Sequence, residues 1–249
     1  LKYRGYNVRQ VMNLTDVDDK IIRNATEKRL SVDEYTQPYI DAFLADCAAL
    51  NLEQVEEYPR ATRTIDDMIA LIQRLIDQGH AYEKDGSVYF NISSLPSYGR
   101  LSGLDRREIK SGVSVDADEY EKDDVRDFVL WKARKEGEHY WDSPFGEGRP
   151  GWHLECSVMS MKYLGETIDI HGGGVDNIFP HNECEIAQSE AANGATFARY
   201  WMLVGSLNVP DEFGIPVKMS KSLGNFYTIK DALKLHRPEV LRTFILSGH

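Results

Sequence analysis

Two lysines three positions apart, Lys218 and Lys221, lie in the string KMSKSLGN, among small hydroxyl residues and ahead of a Gly224–Asn225 turn. That pattern makes a mobile cationic loop, able to approach a polyphosphate and neutralise charge that develops during displacement at phosphorus. A solvated loop is the plainer alternative for a short run, but the full string is much more specific than its composition. A second group is His171-Gly172-Gly173-Gly174-Val175-Asp176, read as following a short apolar strand over Thr167–Ile170. Glycines at the carboxyl end of a parallel strand let a ligand lie against bare backbone, where open α/β sheets bind ligands. Glycine runs are also common turn punctuation. The flanking His171 and Asp176 tip the reading toward a nucleotide or amino-acid site.

A third group is metal-like. His181 and Glu185 are four apart, so on a helix they share a face and can reach one ion. Cys156, near the start of another helix, can supply a thiolate, and Cys, His and Glu together suit zinc with a position left open. Spacing leaves alternatives: Cys156 as a small buried hydrophobe, His181 as a polar residue at a helix start, and Cys184 as either the thiolate ligand or core.

The elements that must position these groups can be read from pattern. Tyr6–Leu14 reads as a strand, with Thr15 as an N-cap and Asp16, Asp18 and Asp19 in the first helical turn. A helix over about Val32–Leu50 carries an apolar stripe of Ile40, Phe43, Leu44, Cys47 and Leu50, which makes Cys47 core. Another follows Thr64, with Ile65, Met68, Ile69, Ile72, Leu75 and Ile76 on one face and Gly79 as its C′ glycine. Ala81–Ile92 reads as a hairpin turning at Asp85-Gly86. From Ser93 to Phe145 the chain reads as loop-rich and acidic, with Asp116–Asp127 a solvated run. Alternation resumes with a helix over Leu154–Leu164, a helix over Asn182–Ala192, a strand over Tyr200–Val209, and helical turns from Ile229 to Leu246. The last of these are marked by a Thr228/Asp231 capping pattern and by Pro238 at a helix start. Helix–strand alternation on both sides of an insertion is a split α/β domain with a parallel sheet.

Composition narrows the class. With 249 residues, 42% hydrophobic and 28% charged, the chain is globular rather than disordered or fibrous. No run approaches the roughly 18 apolar residues of a membrane span. Three scattered cysteines do not make a disulfide framework and suit a reducing, cytoplasmic compartment. A net charge of −11 argues against a protein that coats nucleic acid by charge alone, and leaves specific RNA enzymes open.

Taken together, KMSKSLGN, GRPGWHLECS (Gly148–Ser157), DIHGGGVDNIFPH (Asp169–His181), EIAQSE (Glu185–Glu190) and NLTDVDDKII (Asn13–Ile22) resemble the cysteinyl-tRNA synthetase family, along essentially the whole chain. The resemblance implies a class I synthetase: a split Rossmann-type parallel sheet over 1–72 and 146–212, a connective insertion over 73–145, and the KMSKS loop with the start of a stem-contact region over 213–249. It implies activation of L-cysteine with ATP and Mg to cysteinyl-adenylate, then transfer to the 3′ end of tRNA(Cys), by a cytoplasmic monomer with no membrane partner. It also implies zinc on Cys156, His181 and Glu185, where a metal that recognises sulfur rejects serine and removes the need for editing. Trp152 resembles the tryptophan closing the cysteine pocket. His171, Gly172, Gly173, Gly174 and Asp176 resemble the part holding adenylate and the amino-acid backbone. Lys221 resembles the ATP-contacting lysine, supported by Lys218.

Departures accompany the likeness. The family's first strand, with a fourth zinc-ligand cysteine, and its HIGH-type motif are not in this chain, which reads as the middle of a longer enzyme. Asn182 and Cys184 stand where the family shows His and Asn. Two other readings share the residues: a cysteine ligase acting on a small amino-sugar acceptor, and a truncated, non-catalytic zinc- or tRNA-binding module.

Overall fold

The computed structural model describes residues 1–104, 114–115, 126–211, 213–219 and 224–248. The chain divides into two compact units, one comprising Leu1–Tyr35 with Val55–Val204, the other Thr36–Gln54 with Gly205–His249.

In the first unit, helix α1 (Asp19–Lys28) starts at Asp18, whose carboxylate accepts from the Ile21 amide at 2.5 Å. The cap is therefore Asp18 and not Thr15. Asp16 is buried instead, held by Arg60 Nε at 2.6 Å and by the Thr62 amide and hydroxyl at 2.9 and 2.7 Å. The expected strand over Tyr6–Leu14 is an extended segment with two isolated parallel bridges, Val11 to Glu57 and Leu14 to Arg60. The Leu14 amide donates to the Pro59 carbonyl, and Pro59 has no N–H to return.

Helix α2 (Val32–Ala49) begins in this unit and continues into the other. Helix α3 (Ile65–Asp77) buries Ile65, Met68, Leu71, Ile72 and Leu75. It ends in a Schellman motif, with His80 N–H to Leu75 O and Gly79 N–H to Ile76 O, and Gly79 at φ +78°. Strands β1 (Ala81–Lys84) and β2 (Ser87–Phe90) form the expected hairpin, and both turn residues, Asp85 and Gly86, have positive φ.

The region after the hairpin departs most from expectation. Strands β3 (Ser114–Val115), β4 (Asp127–Ala133) and β5 (Gly148–Pro150) complete a five-stranded sheet with β1 and β2. β4 is its spine, antiparallel to β2 and β5 and parallel to β3. Phe128, Val129, Leu130 and Trp131 on β4 are all buried, so the segment read as loop supplies much of the core. A run buried on both faces shows no alternation, so it carries little strand signal in sequence. Asp127 is also buried, accepting from the Tyr82 hydroxyl at 2.8 Å and the Ile92 amide at 3.1 Å. The rest of the acidic run, 116–125, lies outside the described residues.

Helix α4 (Trp152–Leu164), strand β6 (Ile168–Gly174), helix α5 (Glu183–Asn193) and strand β7 (Ala198–Val204) restore the α/β alternation. β6 and β7 pair in parallel from Ile168/Ala198 to Gly174/Val204. Helices α3, α4 and α5 share one core with β2 and β4.

The strand expected over Tyr200–Val209 ends at Val204 as β7, and in the second unit β8 (Asn208–Pro210) and β9 (Pro216–Lys218) form a hairpin reaching into the expected loop, with Asp211 accepting from the Phe213 and Ile215 amides to close it. Helices α6 (Ile229–Leu235) and α7 (Pro238–Ser247) follow. Thr228 caps α6, accepting from the Asp231 amide at 3.0 Å, and Pro238 opens α7. Arg242 on α7 donates to the carbonyls of Leu50 and Asn51 at the end of α2.

Candidate functional site

Gly148 and Gly151 let α4 start where it does. An added Cβ on Gly148 would meet the Lys132 carbonyl and the Trp131 indole, and one on Gly151 would meet the Val129 carbonyl. Only residues without a side chain fit this close to β4. Gly151 is the N-cap of α4, so the sheet sets the position of Trp152, His153 and Cys156 along its first turns. On the facing side, irregular helical turns over 175–182 lead into α5, placing His181 just before the helix and Glu185 in its first turn.

These elements bring Cys156, His181 and Glu185 together, with one donor atom from each lying within 4.8 Å of the others. Ligands about 2.0–2.3 Å from a common ion span a comparable distance. Glu185 is fully buried and is approached on both oxygens by imidazole: His181 Nε2 at 2.6 Å from Oε1, and His171 Nε2 at 2.5 Å from Oε2. Burial alone would push its acidity down, but His181 and His171 overcome that and hold its pKa well below the usual carboxylate range. Burial also opposes charge on His171, but its contact with Glu185 raises the imidazole above its ordinary value. Burial pushes the Cys156 thiol well up, with Glu185 and Glu155 adding to the shift, while Asn13 Nδ2 donates to its sulfur at 3.6 Å. A thiol, an imidazole and a carboxylate converge where anionic charge is costly. That arrangement suits a borderline-soft divalent cation, which would reverse the cost of the thiolate.

Aromatic rings frame the group. Trp152 lies 4.1 Å, centroid to centroid, from His181, and Trp201 stacks on His171 at 4.4 Å. The glycine run was expected to follow a strand ending at Ile170, but it lies within β6 itself, forming the strand's carboxyl end. Nothing lies within 4 Å of where a Gly173 Cβ would be, so backbone is open there. Asp176 follows on the exposed turn after β6. Lys218 ends β9 in the second unit, and Lys221 lies outside the described residues. Cys184 is not in the cluster: it is fully buried in the core, 3.7 Å from the Tyr98 hydroxyl, which removes it as the alternative thiolate. Cys47 is only partly buried.

Comparison with known proteins gives this arrangement a family. The model of the tRNA synthetases class I (C) catalytic domain matches residues 1–249. The chain belongs to that family. It is 52% identical over 248 residues to a cysteine–tRNA ligase of Caldicellulosiruptor saccharolyticus, covering 100% of this chain and 52% of that protein. It is 53% identical over 254 residues to the cysteine–tRNA ligase of Chlamydia muridarum, again 100% of this chain and 52% of that protein. The chain thus spans about half the length of the curated relatives it matches. A crystal structure of a putative arginyl tRNA synthetase from Campylobacter jejuni shares the fold, with TM-score 0.52 and 17% identity over 92% of this chain and 44% of that one. The expected mixed α/β architecture with parallel strands holds for this class I catalytic domain.

The class I domain also holds residues around the cluster that sequence reading passed over. His153 is fully buried with its Nδ1 2.9 Å from His181 Nδ1, so one of the two rings must carry the proton between them. Asn13, from the NLTDVDDKII string, reaches the Cys156 sulfur. Glu183 is fully buried and accepts from the Gly99 and Ser102 amides at 2.9 and 2.6 Å, strapping the 97–104 loop onto α5. The available signal was polar residues on helices too buried to hydrate them, which single-sequence periodicity cannot show.

Proposed function

We propose that the chain is the cysteine-activating part of a cysteine–tRNA ligase: cysteine and ATP give cysteinyl-adenylate, and the acyl group passes to the 3′ end of tRNA(Cys). The observation that carries this reading is the Cys156–His181–Glu185 group beneath Trp152, within a chain about half identical to cysteine–tRNA ligases along its whole length. Within it, 1–72 and 146–212 act as the catalytic domain, 73–145 as the connective insertion, and 213–249 as the KMSKS and stem-contact region. Three free cysteines suit a reducing cytoplasm.

Cys156, His181 and Glu185 hold zinc. When bound, it supplies a Lewis acid that prefers the substrate's sulfur to a hydroxyl oxygen. Trp152 and the wall around His181 shape the side-chain pocket, and Asp176 takes the substrate ammonium. The backbone of Gly172, Gly173 and Gly174, open at Gly173 and with His171 beside it, lets the adenylate lie against β6. One oxygen of the cysteine carboxylate attacks the α-phosphorus of ATP, and the bond to the bridging oxygen breaks as Mg-pyrophosphate leaves. Lys221, supported by Lys218, neutralises the charge that builds on that leaving group. No side chain need move a proton in this step, because a carboxylate is already the nucleophile and pyrophosphate an anionic leaving group.

Cysteine-dependent ATP–pyrophosphate exchange, with zinc supplied and serine as control, tests the reading. Exchange with cysteine and not serine is expected. Equal exchange with serine, or none from protein shown to hold zinc, would overturn it for this chain.

A further inference from the structure

The two helices that bring the candidate metal ligands together are joined by a buried polar staple to which the reaction assigns no part. Gln188 on α5 is fully buried, and its Nε2 donates to the His153 carbonyl at 2.5 Å and to Ser157 Oγ at 2.7 Å, both on α4. Ser157 is equally buried, and its hydroxyl donates back to the Glu185 carbonyl at 3.3 Å. The links therefore run from the Glu185 backbone through Ser157 to Gln188 and on to the His153 backbone. Ser157 immediately follows Cys156, Glu185 is itself bonded, and the His153 ring meets His181. One chain of hydrogen bonds thus touches the backbone or the neighbour of all three candidate ligands.

Leu154 and Val158 on α4 and Cys184 and Ala187 on α5 belong to the shared hydrophobic core. Apolar packing is non-directional and accepts a small slide of one helix along another. Hydrogen bonds have narrow distance and angle ranges, and metal–ligand distances tolerate only about 0.2 Å. Burying an amide between two helices is also costly, the more so here because Gln188 Oε1 has no hydrogen-bond partner among the described residues, so it is a poor choice for packing alone.

We propose that Gln188, acting with Ser157, is a positioning residue for the metal site: it sets the register of α4 against α5, and with it the spacing of the Cys156 sulfur from the His181 and Glu185 donors. This rests on the reading that those three residues bind a metal ion.

Cobalt(II) titration of the 249-residue chain, read by its visible ligand-field bands and followed by zinc competition, tests the proposal. Wild type is compared with Gln188→Met, which keeps volume but removes both donors, with the milder Ser157→Ala, and with Met159→Ala. Met159 is a buried α4 residue outside the staple whose truncation lowers stability through a cavity. All are titrated at a temperature where circular dichroism shows each folded. Gln188→Met is expected to weaken cobalt and zinc binding about 10- to 100-fold, the range for outer-shell partners, and to shift the cobalt bands. Ser157→Ala is expected to move both readouts the same way by less, and Met159→Ala to leave both unchanged. Wild-type affinity and spectrum in both staple variants would overturn the proposal while leaving the metal site intact. Failure of wild type to bind cobalt or zinc would overturn the site reading, and the proposal with it.

Discussion

Glu185 carries the largest electrostatic load among the described residues of the site. A fully buried carboxylate is held ionised by two imidazoles, and the neighbouring thiol is pushed toward its neutral form. Glu185→Gln and Cys156→Ala each remove an anionic donor, so each is expected to lower zinc affinity by more than about 100-fold, beyond the range for outer-shell partners. Competition with a chromophoric chelator measures it. A separate acid tests burial away from the site. Burial raises the Asp127 pKa, opposed by hydrogen bonds from Tyr82 and Ile92 and by Lys84. Because the folded value lies above the unfolded one, its contribution is fully present below about pH 4 and is lost as pH rises through the raised value. Urea unfolding of wild type against Asp127→Asn is expected to show the wild-type margin shrinking from about pH 4 toward neutrality. A margin that grows over that interval would contradict the sign.

Elements depend on single residues at their ends. Gly151→Ala would drive a methyl into the Val129 carbonyl, so the first turn of α4 must shift. The expected cost is about 1–3 kcal/mol, with weakened metal binding, because Cys156 moves with that turn. Gly79→Ala, at φ +78° with open space around it, is expected to cost only about 1 kcal/mol and to leave the site untouched. Glu183→Ala strands two loop amides that now share one carboxylate, and a loss of about 3 kcal/mol is expected. Chemical denaturation of the three variants gives the order Glu183, Gly151, Gly79 or shows it to be wrong.

Across the whole molecule, burial is uneven between the two units. The large hydrophobic cluster belongs to the first unit, whereas α6 and α7 contain no buried residue. Amides of α6 and α7 have little apolar burial to resist local opening, so they are expected to exchange with deuterium well before those of α3 and β4. Mass-spectrometric hydrogen exchange measures this directly, and equal protection across both sets would refute it. Among the described residues no helix is long and apolar enough to cross a membrane.

How much of this the sequence determined follows from which interactions are local. The α3 stripe and its Gly79 end, the Asp85-Gly86 hairpin, the Thr228 cap and Pro238 all depend on residues within one or two turns, and all are legible in order. The His181/Glu185 spacing is local too. What joins Cys156 to that pair is not: it depends on how α4 packs on α5, so residue type left Cys156 as one alternative and the resemblance favoured it. β4 was missed because its pairing partners are distant in sequence and its burial on both faces erases alternation. The Asp18 cap, the core placement of Cys184, and the inward roles of His153, Glu183 and Gln188 likewise waited on the fold. A buried polar side chain is identified by its partners, and those partners become neighbours only when the chain has folded.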